Sequence, residues 1–175
     1  MNDEELMAAV AQGDQLAYQT LVRKHLPSIT RYALRLLGNS RDTEDIAQET
    51  FLRLWTTASR WDPSKAQLNT WLHRITHNLC IDFLRKQKRV TLTDNFDDEI
   101  AESESDATES FDALNQALSR LPEAQRSALL LCHYQGFSNK EAAAIMDITV
   151  KALESLIARA KRSLRTLLEA NNNAN

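Results

Sequence analysis

His73, His77 and Cys80 are spaced i, i+4 and i+7, so on a helix they share one face. Three nitrogen and sulfur donors in such a row could begin a zinc site. The same spacing describes the inward face of an ordinary helix, and no fourth ligand is evident. No metal ligand is therefore assigned, and metal or thiol sensing stays as an alternative. On another face of the same stretch stand Arg74, Asn78, Asp82, Arg85 and Arg89, with Trp71 at the upper edge. The stretch ends in the basic cluster Arg85, Lys86, Lys88 and Arg89. Aromatics stack on bases, amides bond base edges and cations hold phosphates, a combination suited to single-stranded DNA. Trp55 and Trp61 lie just upstream, where a core role is more usual than a base platform.

A second constellation lies near the C-terminus. Ser138-Asn139-Lys140-Glu141 fits a capping box, followed by the short helical run EAAAIM, the turn Asp147-Ile148-Thr149 and a longer helix. That helix carries Leu153, Leu156 or Ile157, Ala160, Leu164 and Leu167 or Leu168 on one side. Lys151, Glu154, Ser155, Ala158, Arg159 and Arg162 occupy the other. A helix-turn-helix presents such a face to base edges in the major groove. Arg159, Lys161, Arg162 and Arg165 suit phosphates. An ordinary helical hairpin with a solvated face has the same pattern.

A third stripe joins Asp42, Asp45 and Glu49, with Gln48 and Leu52 beside them, while Ala47, Phe51, Leu54 and Ala58 recur at core spacing. Acidic and apolar groups on one helix face could dock a basic partner helix, or could simply be solvated.

Helices must position these faces. Three Gly and three Pro in 175 residues, with abundant Ala, Leu, Arg and Glu, predict an all-α chain. The expected helices span about residues 4–12, a run from Asp14 that restarts at Pro27 and closes at Gly38, then 41–58 and 68–89. Later helices are expected over 111–120, 122–134, 138–146 and 150–170, with a frayed 171–175 tail. The architecture is two small helical domains, residues 1–90 and 113–170, joined by a flexible acidic linker, 91–112; the second is a four-helix helix-turn-helix domain.

Formal net charge is -3, but the charge is segregated. Residues 1–90 carry 13 basic and 10 acidic side chains, 91–112 carry 9 acidic and none basic, and 113–175 carry 8 basic and 5 acidic. Two mildly basic lobes thus flank an acidic strap. No apolar run is long enough to span a membrane, and the acidic N-terminus lacks a signal-peptide layout. Two separated cysteines fit a cytoplasmic protein with reduced thiols. No phosphate-cradling glycine loop or nucleophile elbow is present, and the carboxylates Asp97 and Asp98 fall in the linker, so an enzyme is not expected. No cofactor and no small-molecule substrate are expected.

Three stretches together resemble one family. Asp42–Trp55 (DTEDIAQETFLRLW) resembles the core-binding signature of extracytoplasmic-function (ECF) sigma factors of the sigma-70 family. Asn69–Arg89 resembles their promoter-melting and −10-reading helix, and Leu118–Arg165 their −35-reading domain. The resemblance implies a sigma factor that directs RNA polymerase core to promoters. It implies that Asp42, Asp45, Gln48, Glu49 and Leu52 bind the clamp helices of the largest subunit, and that the flap of the second-largest subunit is also met. Trp71, Arg74, Asn78, Arg85, Lys86, Lys88 and Arg89 would contact −10 DNA, with Asn78 near a flipped base. The Val150 helix would enter the −35 groove through Lys151, Glu154, Ser155, Ala158, Arg159 and Arg162. The acidic linker would thread toward the RNA exit path. An anti-sigma factor, often a membrane protein, would be the usual control and could hold the chain at the inner membrane. Glu154 departs from the basic or small residue of many relatives; a carboxylate repels phosphate and can accept from a cytosine amino group. A stand-alone helix-turn-helix regulator is the rival reading, and it gives the acidic stripe and linker no task.

Overall fold

The computed structural model describes residues 1–94 and 109–173. Among these, all regular structure is helical. Most of the 91–112 linker lies outside the described residues, but its first and last four residues are helical.

Helix α1 (Asp3–Ala11) starts at Asn2, whose side chain accepts from the Glu5 amide at 2.9 Å. Asp14 caps α2 (Gln15–Leu37) by accepting from Leu16 and Ala17 amides. The expected restart at Pro27 does not occur: α2 runs through it. Pro27 cannot donate to the carbonyl of Arg23, but both residues are exposed, where an unpaired carbonyl costs little. The inward row Leu21, Ile29, Tyr32, Ala33 and Leu36 is buried on either side and holds the helix together. Gly38 ends it at φ 75°, a left-handed conformation that suits glycine. Asn39 caps α3 (Ser40–Thr57), and a single 3₁₀ turn over Ala58–Arg60 follows. Helix α4 (Leu68–Asp94) continues beyond the expected end at Arg89. The hydroxyls of Thr50 and Thr76, both buried and 3.0 Å apart, tie α3 to α4.

In the second lobe, α5 (Glu109–Ser119) and α6 (Glu123–Leu129) lead into a π turn over Leu130–Tyr134. Helix α7 (Asn139–Met146) begins with the expected capping box: the Ser138 hydroxyl accepts from the Glu141 amide at 3.1 Å. Asp147 turns the chain at φ 56°, and Thr149 accepts from the Ala152 amide at 3.1 Å to start α8 (Val150–Asn173). That helix reaches three residues into the expected frayed tail.

The core has two parts. Leu6, Met7, Val10, Leu21, Ile29, Phe51, Leu54, Leu68 and Leu72 close the first lobe. The second part crosses between lobes, joining Tyr32, Ala33, Leu36, Ile46 and Cys80 to Leu118, Leu129, Leu130, Leu131, Ile145, Leu153 and Ala160. Helix α7 lies directly on α4.

Candidate nucleic-acid interface

Helix α3 separates its two expected faces. Ala47, Phe51, Leu54 and Ala58 are buried. On the other side Asp45, Gln48 and Leu52 are exposed, and Asp42 and Glu49 are half-buried. Leu52, 53% exposed, stands beside a shallow notch lined by Gln15, Tyr18, Gln19 and Trp55. Tyr18 and Trp55 meet edge to face at 5.1 Å, and the Tyr18 hydroxyl donates to the Phe51 carbonyl. Arg53 pairs with Glu49 at 3.2 Å, an exposed i, i+4 pair that leaves the stripe acidic in net terms.

Helix α4 also carries two faces. Arg74, Asn78, Asp82, Arg85, Lys86, Lys88 and Arg89 are exposed. Trp55, Trp61 and Trp71 are half-buried against the first core, so each serves packing. The row His73, His77 and Cys80 is buried. Among the described residues no cluster of metal-ligating groups occurs. Burial pulls both histidines down to about 4, and pushes the Cys80 thiol up to about 12. All three are therefore neutral near pH 7, packed groups rather than open ligands. Cys132 is half-buried and His133 exposed.

Helix α8 buries Leu153 and Ala160 and half-buries Leu156, Ile157, Leu164 and Leu167. Lys151, Glu154, Ser155, Ala158, Arg159 and Arg162 are all exposed. The helix-turn-helix thus presents an unobstructed face with a short residue, Ala158, at its centre, leaving the backbone of α8 open to close approach.

Residues that gave no periodic signal bridge the lobes. Arg126 donates to the Leu36 carbonyl in the last turn of α2, and to the Ser119 and Leu121 carbonyls at 2.9 and 3.0 Å. One guanidinium therefore serves the carboxyl ends of two helices, where unpaired carbonyls concentrate negative partial charge. Gln135 donates from its amide to the Ser28 carbonyl at 2.9 Å and lies 3.1 Å from His73 Nε2. The Arg35 guanidinium sits 4.7 Å from the Tyr134 ring centre, and Lys88 meets Glu123 at 3.2 Å. Only a long-range contact could reveal these partners.

Comparison with known proteins reads the same faces in order. Residues 21–90 match the family model for Sigma-70 region 2, and residues 111–164 that for Sigma-70, region 4. The ECF RNA polymerase sigma factor SigE of Mycolicibacterium smegmatis is 35% identical over 95% of this chain and 69% of its own length. The chain belongs to the sigma-70 family, in its ECF group.

The RNA polymerase sigma factor NccH of Alcaligenes xylosoxydans xylosoxydans is 34% identical, over 96% of this chain and 95% of its own. Among solved structures, CnrH in complex with the cytosolic domain of CnrY aligns with TM-score 0.75 and 28% identity, covering 96% of this chain and 97% of that one. The sigma factor RpoE of Bartonella quintana, in complex with the anti-sigma factor NepR, aligns with TM-score 0.75 and 25% identity, over 87% and 96%. This ECF sigma factor therefore binds RNA polymerase core and directs promoter-specific initiation, and its family is one of non-enzymatic initiation factors. Among the described residues, no helix is long and apolar enough to cross a membrane.

Proposed function

We propose that residues 1–90 bind the polymerase and read the −10 element, that 113–170 read the −35 element, and that 91–112 connect them through the enzyme. The observation that carries this reading is the exposure of three separate faces, on α3, α4 and α8, each backed by a buried one. Asp45, Gln48, Glu49 and Leu52, with Asp42 at the edge, meet the clamp helices of the largest subunit, whose basic side chains complement the stripe. Asn78 bonds the edge of a −10 base that has left its stack, and Arg74, Arg85, Lys86, Lys88 and Arg89 hold the backbone around it. Trp71 lies next to that base. Lys151, Glu154, Ser155, Ala158, Arg159 and Arg162 enter the −35 major groove. The second lobe also meets the flap of the second-largest subunit.

The sigma factor works in the cytoplasm with no enzymatic activity or cofactor of its own. Two structurally similar relatives are seen with CnrY and with NepR, which supports control by an anti-sigma factor here too. A membrane-bound partner of that kind would hold it at the inner membrane.

Run-off transcription from a genomic promoter library, with purified core polymerase, tests the assignment. New transcripts appear only with the protein and share −35 and −10 elements. Asn78→Ala lowers their yield at the melting step, read by permanganate reactivity of unpaired thymines. Unaltered melting by a folded Asn78 variant removes that residue from the −10 contact.

A further inference from the structure

Helix α4 carries one carboxylate on its cationic face. Between Leu68 and Arg89 stand Arg74, Arg85, Lys86, Lys88 and Arg89, and the single acidic residue in that stretch is Asp82. Asp82 is exposed, one turn beyond Asn78, with Arg85 and Lys86 three and four residues further on. Other carboxylates of the first lobe have structural tasks. Asp14 caps α2, and Asp62 accepts from the Ser64 amide and hydroxyl at 2.9 and 2.6 Å. Asp3 pairs with Lys24 and His25, and Glu49 pairs with Arg53.

Asp82 has none of these tasks. It stands midway along the 27 residues of α4, too far from the amino end for capping or for the helix dipole. Among the described residues it makes no ion pair, although Arg85 and Lys86 are at the spacing that pairs on a helix. Aspartate is also a poorer helix former than the straight-chain residues that follow it. Towards the phosphates that the neighbouring cations suit, it is repulsive. A base edge suits it better, because an ionised carboxylate only accepts, through two oxygens. An unpaired base offers its Watson–Crick edge. Guanine presents a ring N–H and an amino group side by side there, and cytosine and adenine one amino group each. Thymine has a single N–H between two carbonyls, which repel the carboxylate.

We infer that Asp82 is a specificity determinant: its carboxylate accepts from the amino-bearing edge of the unpaired base next to the one held by Asn78, and disfavours thymine there. Four residues of helix advance about 6 Å, less than two nucleotides of a stacked strand at about 3.4 Å each, so the two side chains meet adjacent bases. Arg85 and Lys86, beside it, offset its repulsion of the backbone. This assignment rests on the proposed −10 role of α4.

Run-off transcription by the holoenzyme from a library randomised across the −10 region tests it, with Asn78→Ala marking the position that Asn78 reads. At the position beside that one, the wild type disfavours thymine by about fivefold or more against an amino-bearing base, guanine first. Asp82→Ala levels that position alone, with helix content unchanged. Asp82→Asn, whose amide both donates and accepts, admits thymine as well. The favoured base is then replaced by its analogue without the amino group (inosine for guanine, purine for adenine, pyrimidin-2-one for cytosine). That change lowers the yield of the wild type and leaves the yield of Asp82→Ala as it was. A folded Asp82→Ala with the wild-type base profile overturns the inference. So does one that raises yield evenly at every sequence, the mark of a repulsion removed. If Asp82→Ala loses helix content, Asp82→Asn carries the same readings. If Asn78→Ala alters the −10 profile and Asp82→Ala does not, Asp82 alone is misassigned; if neither does, the −10 reading of α4 falls with it.

Discussion

Gln135 donates to Nε2 of His73 across 3.1 Å, and the direction of that bond is fixed by its neighbours. The other ring nitrogen, Nδ1, lies 2.8 Å from the carbonyl of Asn69, which can only accept. Nδ1 therefore carries the ring proton and Nε2 offers its lone pair. The Gln135 amide nitrogen is oriented by the Ser28 carbonyl, 2.9 Å away. A second proton on His73 would face the amide protons of Gln135, so the contact between lobes requires a neutral imidazole.

Acid weakens the folded, closed state. His73 and His77 sit at about 4, below their ordinary value, because burial disfavours the cation. His25 and Arg31 on α2 press His73 the same way, while the Asn69 carbonyl opposes them. His77 faces the Tyr32 hydroxyl at 2.8 Å. Their contribution is complete above pH 6.5, where both folded and unfolded rings are neutral. It is lost as pH falls from 6.5 toward 4, because only the unfolded rings take up protons. Unfolding free energies from urea titrations between pH 8 and pH 4 are flat at first and then decline, by up to about 1.4 kcal/mol per pH unit per ring. His73→Gln removes one ring's share of that slope.

Arg126→Ala leaves the carbonyls of Leu36, Ser119 and Leu121 without their donor. The loss is about 2–4 kcal/mol of stability, read from denaturant unfolding. Arg126→Lys recovers little, since a single ammonium cannot span carbonyls that a planar fork reaches together. Full rescue by Lys would assign the effect to charge alone.

Asp45→Lys with Glu49→Lys turns the α3 stripe basic at one exposed and one half-buried position. Helix content is unchanged and core-polymerase affinity falls by about tenfold or more, measured by anisotropy at two salt concentrations. The gap between variant and wild type narrows at high salt. Equal affinity in the folded double variant sinks the docking assignment.

Glu154→Ala alters the choice of −35 sequence and leaves −10 preference alone. Discrimination at one −35 position shifts by about 1–3 kcal/mol, read from transcript counts across a randomised promoter library. An unchanged −35 profile places Glu154 outside base readout.

Much of this was legible in the chain. The buried row of α3, the capping box at Ser138 and the exposed face of α8 follow from periodicity and cap chemistry, both local. Pro27 misled because local chemistry predicts a break, whereas burial of Leu21, Ile29 and Tyr32 on both sides outweighs one missing hydrogen bond. The His73, His77 and Cys80 row was readable as a shared face but not as a lobe contact, because its partners, Ser28, Tyr32 and Gln135, are distant in sequence. Lobe closure was illegible for the same reason: an arginine serving carbonyls, or a glutamine bridging an oxygen and a ring nitrogen, leaves no pattern along the chain.

Arg126 belongs to one lobe and caps the α2 end of the other. The halves of this sigma factor are thus not interchangeable parts. A hybrid that takes its promoter-reading C-terminal half from a relative without that arginine would inherit a new sequence preference together with an uncapped helix. Engineers who swap halves to build orthogonal transcription circuits should carry the Arg126–Leu36 contact across the junction, or expect the graft to change dosage as well as target.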